Sequence, residues 1–209
     1  MRILILDNRD SFTWNLAHDL ERFGVEVTTL PAIALAKTGA LGAMQRKKFD
    51  GVVLSPGPGL PEEHPQLRLV IAWCVRSQIP ILGVCLGMQA LIEHFGGRLR
   101  NLDRPLHGVA RPLRRVASCD LLGVETSMEV GHYHSWVADE VDWPEVLEVT
   151  SLGTEIENEI ENANGKGAGM ILSMRHRSLP ITGVQFHPES VLTPDGRGML
   201  GRWLESLKG

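Results

Sequence analysis

The stretch Pro80-Ile81-Leu82-Gly83-Val84-Cys85-Leu86-Gly87 decides the fold class of this chain. Its apolar run lacks the alternation of a half-buried strand, which predicts a strand covered on both faces, as in a parallel sheet. The amphipathic segment that follows, LGMQALIEHFG, predicts a helix that ends at Gly96-Gly97. The pattern Gly-x-Cys-x-Gly therefore lies at a strand-to-helix turn, which is the geometry of a nucleophile elbow.

The same alternation runs through the first half of the sequence. Strands are predicted at RILILD (2–7), VEVTTL (25–30), GVVL (51–54) and PILGVC (80–85). Helices are predicted from about Ser11 to Phe23 and over HPQLRLVIAWCVRS (64–77). We therefore expect an α/β fold with a mostly parallel central sheet and helices on both faces.

The second half has a different pattern. From about Arg98, short apolar runs predict strands within GVARPLRRV, MEVGHYHSWV, EVLEVTSL, AGMILSMRH and PITGVQFH. We expect them to extend the sheet in mixed or antiparallel order, before a closing helix from about Gly196 to Leu207. The acidic, then glycine-rich segment from Glu155 to Gly167 predicts an exposed loop. Because no linker divides the chain, we expect one domain over residues 1–209.

Composition argues against several classes of function. The chain has 209 residues and a net charge of −4, so no basic excess would attract nucleic acid or an anionic membrane. No apolar run approaches the roughly 20 residues of a membrane helix, and the opening MRILILDNRD lacks the features of a signal peptide. Three cysteines without C-x-x-C spacing argue against a disulfide framework and a thiolate zinc site. We expect a cytoplasmic protein with reduced thiols.

Cys85 has a structural and a chemical interpretation. Most unpaired cysteines are small buried hydrophobic residues, but here the flanking glycines permit a tight turn and a helix N-terminus favours the thiolate. A thiolate nucleophile needs a base, and that base needs an orienting acceptor. His187 and Glu189 follow the strand PITGV and can point the same way, because they are two residues apart. Taken alone, His-Pro-Glu is more often a surface turn.

Two further motifs carry polar groups. Ser55-Pro56-Gly57-Pro58-Gly59 follows the strand GVVL and leaves backbone N–H groups open to an anion or oxyanion, although it could also be a rigid surface turn. It lacks the Gly-Lys-Ser/Thr of a phosphate-binding loop. His132-Tyr133-His134 could place two imidazoles on one strand face. No pattern of carboxylates or thiols completes a metal site there, so a structural or hydrogen-bonding role is favoured and no metal or cofactor is expected.

Taken in order, the motifs DNRDSFTWN, SPGPG, GVCLGMQA and GVQFHPES resemble those of the class I, or triad-type, glutamine amidotransferases. Within that family the resemblance is to the small subunits of anthranilate synthase and aminodeoxychorismate synthase. It covers nearly the whole chain and implies a flavodoxin-like α/β fold. It also implies L-glutamine as substrate and a larger chorismate-binding subunit as partner, which receives ammonia through a tunnel.

The resemblance also implies residue roles. Cys85 is the nucleophile, His187 the general base and acid, and Glu189 the residue that orients His187. The backbone N–H groups of Gly57 and Leu86 form the oxyanion hole. The amino-acid end of glutamine is held near four residues: Gly59, Gln89, Ser135 and Trp136.

The chain departs from the family pattern at Arg9, Trp14, Met88 and Trp136. Two other functions stay open: a free-standing cysteine hydrolase, such as a γ-glutamyl hydrolase or peptidase of similar fold, and a non-catalytic regulatory subunit. Gln89 and the DNRDSFTWN opening favour the amidotransferase over the hydrolase, and the presence of all three triad residues disfavours the regulatory subunit. The sequence does not separate anthranilate from aminodeoxychorismate synthase, although we favour the former.

Overall fold

The computed structural model describes residues 1–37, 39–153 and 169–208. In this part of the chain nine strands form one sheet in the order β2-β1-β3-β4-β9-β8-β7-β5-β6. The strands are β1 (Arg2–Asp7), β2 (Glu26–Pro31), β3 (Gly51–Leu54), β4 (Ile81–Val84), β5 (Leu99–Arg115), β6 (Ser127–Ala138), β7 (Leu147–Gly153), β8 (Met170–His176) and β9 (Ile181–Val184). The α-helices are α1 (Thr13–Glu21), α2 (Ala40–Gln45), α3 (Pro65–Ser77), α4 (Leu86–His94) and α5 (Gly196–Ser206).

The predicted fold class is confirmed. Strands β2, β1, β3, β4 and β9 run parallel to one another. From β9 outward the sheet continues through β8, β7, β5 and β6, each antiparallel to its neighbour. The last predicted strand, β9, thus lies at the centre of the sheet beside β4. A single domain over residues 1–209 stays a prediction.

Helices cover both faces of the parallel part, as the uninterrupted apolar runs predict. On β1, Ile3 and Ile5 belong to a buried cluster that contains residues of α1 and α5. Leu4 and Leu6 point the other way, into a cluster with residues of α3 and α4. All four side chains are fully buried, and each contributes about 1.5–3 kcal/mol relative to an exposed position. No helix in the described ranges is long and apolar enough to cross a membrane.

The structure differs from the predicted elements in two places, and a third prediction is not tested. Strand β5 begins at Leu99 rather than near Gly108, because a register shift between Asn101 and Leu106 lets it continue past an irregular stretch. Helix α2 was not predicted, since six residues are too few to show helical periodicity. The predicted loop from Glu155 to Gly167 lies outside the described residues.

The topology brings the candidate motifs to one edge of the sheet. Because β1, β3, β4 and β9 are parallel, the segments that follow them emerge at the same edge. These segments begin at Asn8, Ser55, Cys85 and Gln185. Strand β6, which carries His132 to Trp136, contributes residues to the same region.

Candidate active site

Cys85 lies at the turn between β4 and α4. Its backbone has φ 52° and ψ −105°, which is a strained conformation for a residue other than glycine. The two neighbouring glycines make this turn possible: a Cβ on Gly83 would lie 2.7 Å from the Gly87 carbonyl carbon, and a Cβ on Gly87 would lie 2.3 Å from the Leu54 carbonyl oxygen. The turn therefore depends on both glycines.

His187 and Glu189 form a buried pair. His187 Nδ1 is 2.7 Å from Glu189 Oε1, and the two side chains are 2% and 0% exposed. Burial lowers the pKa of His187, but hydrogen bonding and charge interaction with Cys85 and Glu189 raise it, and together they hold this pKa well above its usual value. The Glu189 carboxylate thus fixes the ring and favours the imidazolium.

The His187 ring is also enclosed by aromatic neighbours. The Phe12 and Tyr133 ring centroids lie 5.1 Å and 5.0 Å from it, both in edge-on geometry. Its backbone is held as well: His187 N donates to the Gly131 carbonyl at 3.0 Å, and Thr193 Oγ1 donates to the His187 carbonyl at 2.6 Å. With ring and backbone both fixed, His187 has little freedom to turn away.

The thiol of Cys85 faces two polar side chains. His187 Nε2 is buried and makes no hydrogen bond of standard geometry to a described residue, and Cys85 is near enough to raise the pKa of this imidazole. Gln185 Nε2 donates to Cys85 Sγ at 3.6 Å. The structure thus brings Cys85, His187 and Glu189 together.

The SPGPG loop packs over the start of α4. Asn8 anchors it, because its backbone N–H donates to Ser55 Oγ at 2.9 Å and its side-chain amide donates to the Ser55 carbonyl at 3.0 Å. A Cβ on Gly57 would lie 2.5 Å from Leu86 Cδ2, so only glycine allows this close approach. The Leu86 N–H belongs to the first turn of α4, where N–H groups lack intrahelical acceptors. Gly57 and Leu86, the predicted oxyanion residues, are therefore in contact.

A pocket of about 190 Å³ opens above Cys85. It is lined by the four residues expected to hold glutamine and by seven others: Gly59, Gln89, Ser135 and Trp136, with Gly57, Pro58, Cys85, Pro105, His107, Tyr133 and His134. The geometry therefore places every predicted glutamine-binding residue around one cavity that contains the thiol. A cavity with few, convergent polar groups is typical of a small-molecule site.

His132 and His134 form a second buried pair. His132 Nδ1 lies 2.9 Å from His134 Nε2. Burial first, and then His187 and Arg111, lower the pKa of His132 to about 4. Burial, His132 and His187 lower the pKa of His134 to about 3, although a hydrogen bond with the Trp136 backbone raises this pKa in part. Both rings are therefore neutral at pH 7, and the pair hydrogen-bonds as the sequence led us to favour.

The other cysteines are placed as structural residues. Cys74 is fully buried on α3, and burial raises its pKa to about 12, so its thiol stays protonated. Cys119 is 4% exposed. All three cysteines are free. Among the described residues no group of three or more His, Cys, Asp or Glu could hold a metal ion.

The positions that depart from the family pattern differ in their surroundings. Trp14 is 66% exposed on the first turn of α1, and Arg9 is exposed with φ 65°. Met88 is fully buried and packs against Gly183, where a Cβ would lie 2.9 Å from Met88 Cγ. Trp136 lines the pocket, and its backbone carbonyl accepts a hydrogen bond from Gln89 Nε2 at 2.8 Å.

Three residues of the site were not assigned by sequence. Gln185 contacts the sulfur, and Phe12 and Tyr133 enclose His187. All three stand inside motifs that drew attention, DNRDSFTWN, HYH and QFHPES. Their roles depend on contacts between distant segments, for which a single sequence gives no signal.

Comparisons with known proteins show the family to which this chain belongs. The family described as glutamine amidotransferase class-I matches residues 4–207. The chain belongs to the class I glutamine amidotransferases, which confirms the resemblance and makes the protein an amidotransferase enzyme. The solved structure of a glutamine amidotransferase from Thermotoga maritima superposes with a TM-score of 0.70 at 17% identity, covering 100% of this chain and 82% of that one.

Two curated relatives show which members of the family this chain is similar to. Anthranilate synthase component II of Haloarcula marismortui is 36% identical over 210 residues, covering 99% of this chain and 93% of that protein. Aminodeoxychorismate synthase of Streptomyces griseus is 37% identical over 205 residues, covering 97% of this chain and 26% of that protein. The match thus takes in about a quarter of the Streptomyces polypeptide.

Proposed function

We propose that this chain is the glutaminase subunit of a synthase that adds ammonia to chorismate, and that Cys85, His187 and Glu189 are its catalytic triad. The observation that carries the proposal is a cysteine in a strained elbow beside the buried His187–Glu189 pair, on the wall of a pocket that also contains Gln89. A nucleophile, a base and an orienting carboxylate in this order are the requirement for amide cleavage by a thiol.

The first half of the reaction forms a thioester. Cys85 Sγ attacks the side-chain amide carbon of glutamine, and His187 Nε2 holds the proton taken from the thiol. The carbonyl oxygen becomes negatively charged and is stabilised by the N–H groups of Gly57 and Leu86, each of which contributes roughly 3 kcal/mol to lowering the barrier. His187 then gives its proton to the leaving nitrogen, the C–N bond breaks, and ammonia departs from a γ-glutamyl thioester.

The second half restores the enzyme. A water molecule attacks the thioester carbon while His187 takes its proton, the C–S bond breaks, and the proton returns to Cys85 as glutamate leaves. The sum is glutamine and water giving glutamate and ammonia. Gly59, Gln89, Ser135 and Trp136 hold the amino-acid end of the substrate, because they line the same pocket.

A chorismate-binding large subunit is the proposed partner. In the Streptomyces aminodeoxychorismate synthase, the part similar to this chain is about a quarter of one longer polypeptide, which is the length relation expected when a glutaminase and a synthase are joined. Ammonia passes between the two through a closed path, since bulk water would protonate it. A cytoplasmic location belongs to the same proposal.

The proposal is tested with purified chain, alone and mixed with a chorismate-binding subunit from the same cell. We expect glutaminase activity that Cys85→Ser lowers by at least about 10³-fold, while the matched Cys119→Ser variant keeps it. The product made from chorismate, anthranilate or aminodeoxychorismate, identifies the synthase. Full activity alone with cleavage of γ-glutamyl peptides would instead support a free-standing hydrolase. Absence of glutaminase activity in the complex would support a regulatory subunit.

A further inference from the structure

Gln185 lies directly opposite Cys85 at the end of the paired strands β4 and β9. Val84 pairs with Val184, and Cys85 N donates to the Val184 carbonyl at 2.8 Å, so the next residue of each strand emerges side by side. Gln185 is 0% exposed, and its own backbone N–H donates to the Leu172 carbonyl at 2.8 Å. Its side chain is therefore held in a fixed place beside the sulfur.

Hydrogen bonding determines which end of the Gln185 amide faces Cys85. The Trp136 carbonyl can only accept, so the atom of Gln89 that lies 2.8 Å away from it is the amide nitrogen. That same nitrogen lies 3.3 Å from Gln185, whose facing atom must then be the acceptor oxygen Oε1. The remaining end of Gln185, Nε2, points at Cys85 Sγ across 3.6 Å as a donor.

A buried N–H donor distinguishes between the two states of the thiol. A neutral thiol sulfur is a weak acceptor, whereas a thiolate is charged, and hydrogen bonds to charged groups are about twice as strong. An unsatisfied donor in a water-free site carries a cost. The Gln185 amide is therefore best satisfied when Cys85 is ionised.

We propose that Gln185 is a further catalytic residue, whose amide stabilises the Cys85 thiolate through an N–H···S hydrogen bond; this rests on the proposed role of Cys85 as nucleophile. Gln89 acts through it as a positioning residue, because its amide orients that of Gln185. The Gln89 side chain thus links the glutamine pocket to the reactivity of the sulfur.

The test is the rate of Cys85 alkylation by iodoacetamide as a function of pH, with the modified cysteine identified by mass spectrometry. Gln185→Met keeps the side-chain volume and removes the N–H donor. We expect it to raise the pH midpoint of Cys85 alkylation by about one unit, so that the alkylation rate well below the midpoint is about tenfold lower. Gln185→Glu is isosteric and should raise it further, because a carboxylate repels the thiolate. The matched control is Ser173→Ala, which removes two buried hydrogen bonds on β8 next to β9 and should leave the midpoint unchanged.

Steady-state kinetics add a second measurement. Because Gln185 touches the sulfur and does not line the pocket, Gln185→Met should lower kcat for glutamine about tenfold and Gln185→Glu should lower it more, both with little change in KM. An unchanged midpoint in a folded Gln185→Glu or Gln185→Met protein would overturn the inference while leaving the proposed function intact. A different result would reject the proposed function itself: full glutaminase activity in the Cys85→Ser variant.

Discussion

Cys85 combines a strained backbone conformation with the proposed role of nucleophile. A non-glycine residue at φ 52° and ψ −105° costs about 1–3 kcal/mol, and the fold tolerates it because β4 and the start of α4 are buried on either side of the turn. The strained turn places Cys85 on the wall of the pocket, with its sulfur beside Gln185. Such outliers cluster at functional sites, in agreement with the proposed role.

The first residue-scale prediction concerns Glu189. We expect Glu189→Gln to lower kcat for glutamine on the order of 10³-fold with a much smaller change in KM, because a neutral amide no longer stabilises the imidazolium of His187. Initial-rate measurements on the purified variant check this. Glu148→Gln is the control, since that carboxylate lies on the surface with Arg175 and Arg177 and its loss should not affect turnover. A Glu189→Gln enzyme as fast as the unmodified protein would contradict the assigned role.

At the scale of elements, the junction between β4 and α4 depends on two glycines, Gly83 and Gly87, whose lack of a side chain allows close backbone contact. Helix α4 approaches β3 so closely that Gly87 lies against the Leu54 backbone, and Gly83 lies against Gly87. This contact directs the N-terminus of α4 toward the carboxyl edge of the sheet. The free N–H groups of that terminus are thereby aimed at the site where negative charge develops in the proposed reaction.

An element-scale prediction follows from this contact. We expect Gly87→Ala to destabilise the protein by about 3 kcal/mol, because the new methyl group would lie 2.3 Å from a backbone oxygen that cannot move without shifting β3. Urea denaturation of the purified variant measures the loss. Gly42→Ala is the matched control: the nearest atom to its Cβ is the Arg46 side chain at 3.7 Å, so it should be neutral or stabilise α2 slightly. Equal effects from both variants would count against the close approach.

Strand β6 carries two buried histidines beside the candidate site. His132 and His134 lie on one face of β6, in contact with each other. Burial lowers the pKa of both rings most, His187 lowers both further, and His132 also lowers the pKa of His134. Because they stay neutral, they add no positive charge beside the His187 imidazolium. Tyr133, between them in the chain, contacts the His187 ring instead.

At the scale of the whole molecule, these buried histidines predict an acid-sensitive stability. Their folded-state pKa values of about 4 and 3 lie below the usual 6.5. The unfolded chain therefore binds protons first, and stability falls as pH drops below about 6.5. His187 works in the opposite direction: its raised pKa adds stability that is fully present below pH 6.5 and is lost as pH rises through the folded-state value.

The corresponding measurement compares chemical denaturation at pH 7 and pH 5. We expect His132→Gln to lose about 2 kcal/mol less over this interval than the unmodified protein, because one buried neutral histidine is gone. His18→Gln, at an exposed position on α1, should lose as much as the unmodified protein. Parallel losses in all three proteins would show that the buried pair does not govern acid stability.

The whole fold also shows what sequence patterns can predict. The strand RILILD, the helices flanking it and the strand-to-helix turn at Cys85 were all predicted, because burial on both faces and amphipathic periodicity are properties of a local segment. Helix α2 and the start of β5 were not, because short elements and bulged strands leave weak patterns. The strand order, with β9 inserted beside β4, is a property of long-range pairing and has no local signature.

The sequence by itself determined the parallel α/β class, the elbow cysteine and, through four ordered motifs, the amidotransferase family. Only the tertiary structure decided that Gln185 meets the sulfur and that Phe12 and Tyr133 enclose His187. The physical reason is that a residue's backbone conformation and burial are encoded near it in the chain. Its contacts with distant segments, by contrast, are decided by how those segments pack, as for Cys85 and Gln185, which are 100 residues apart in the chain.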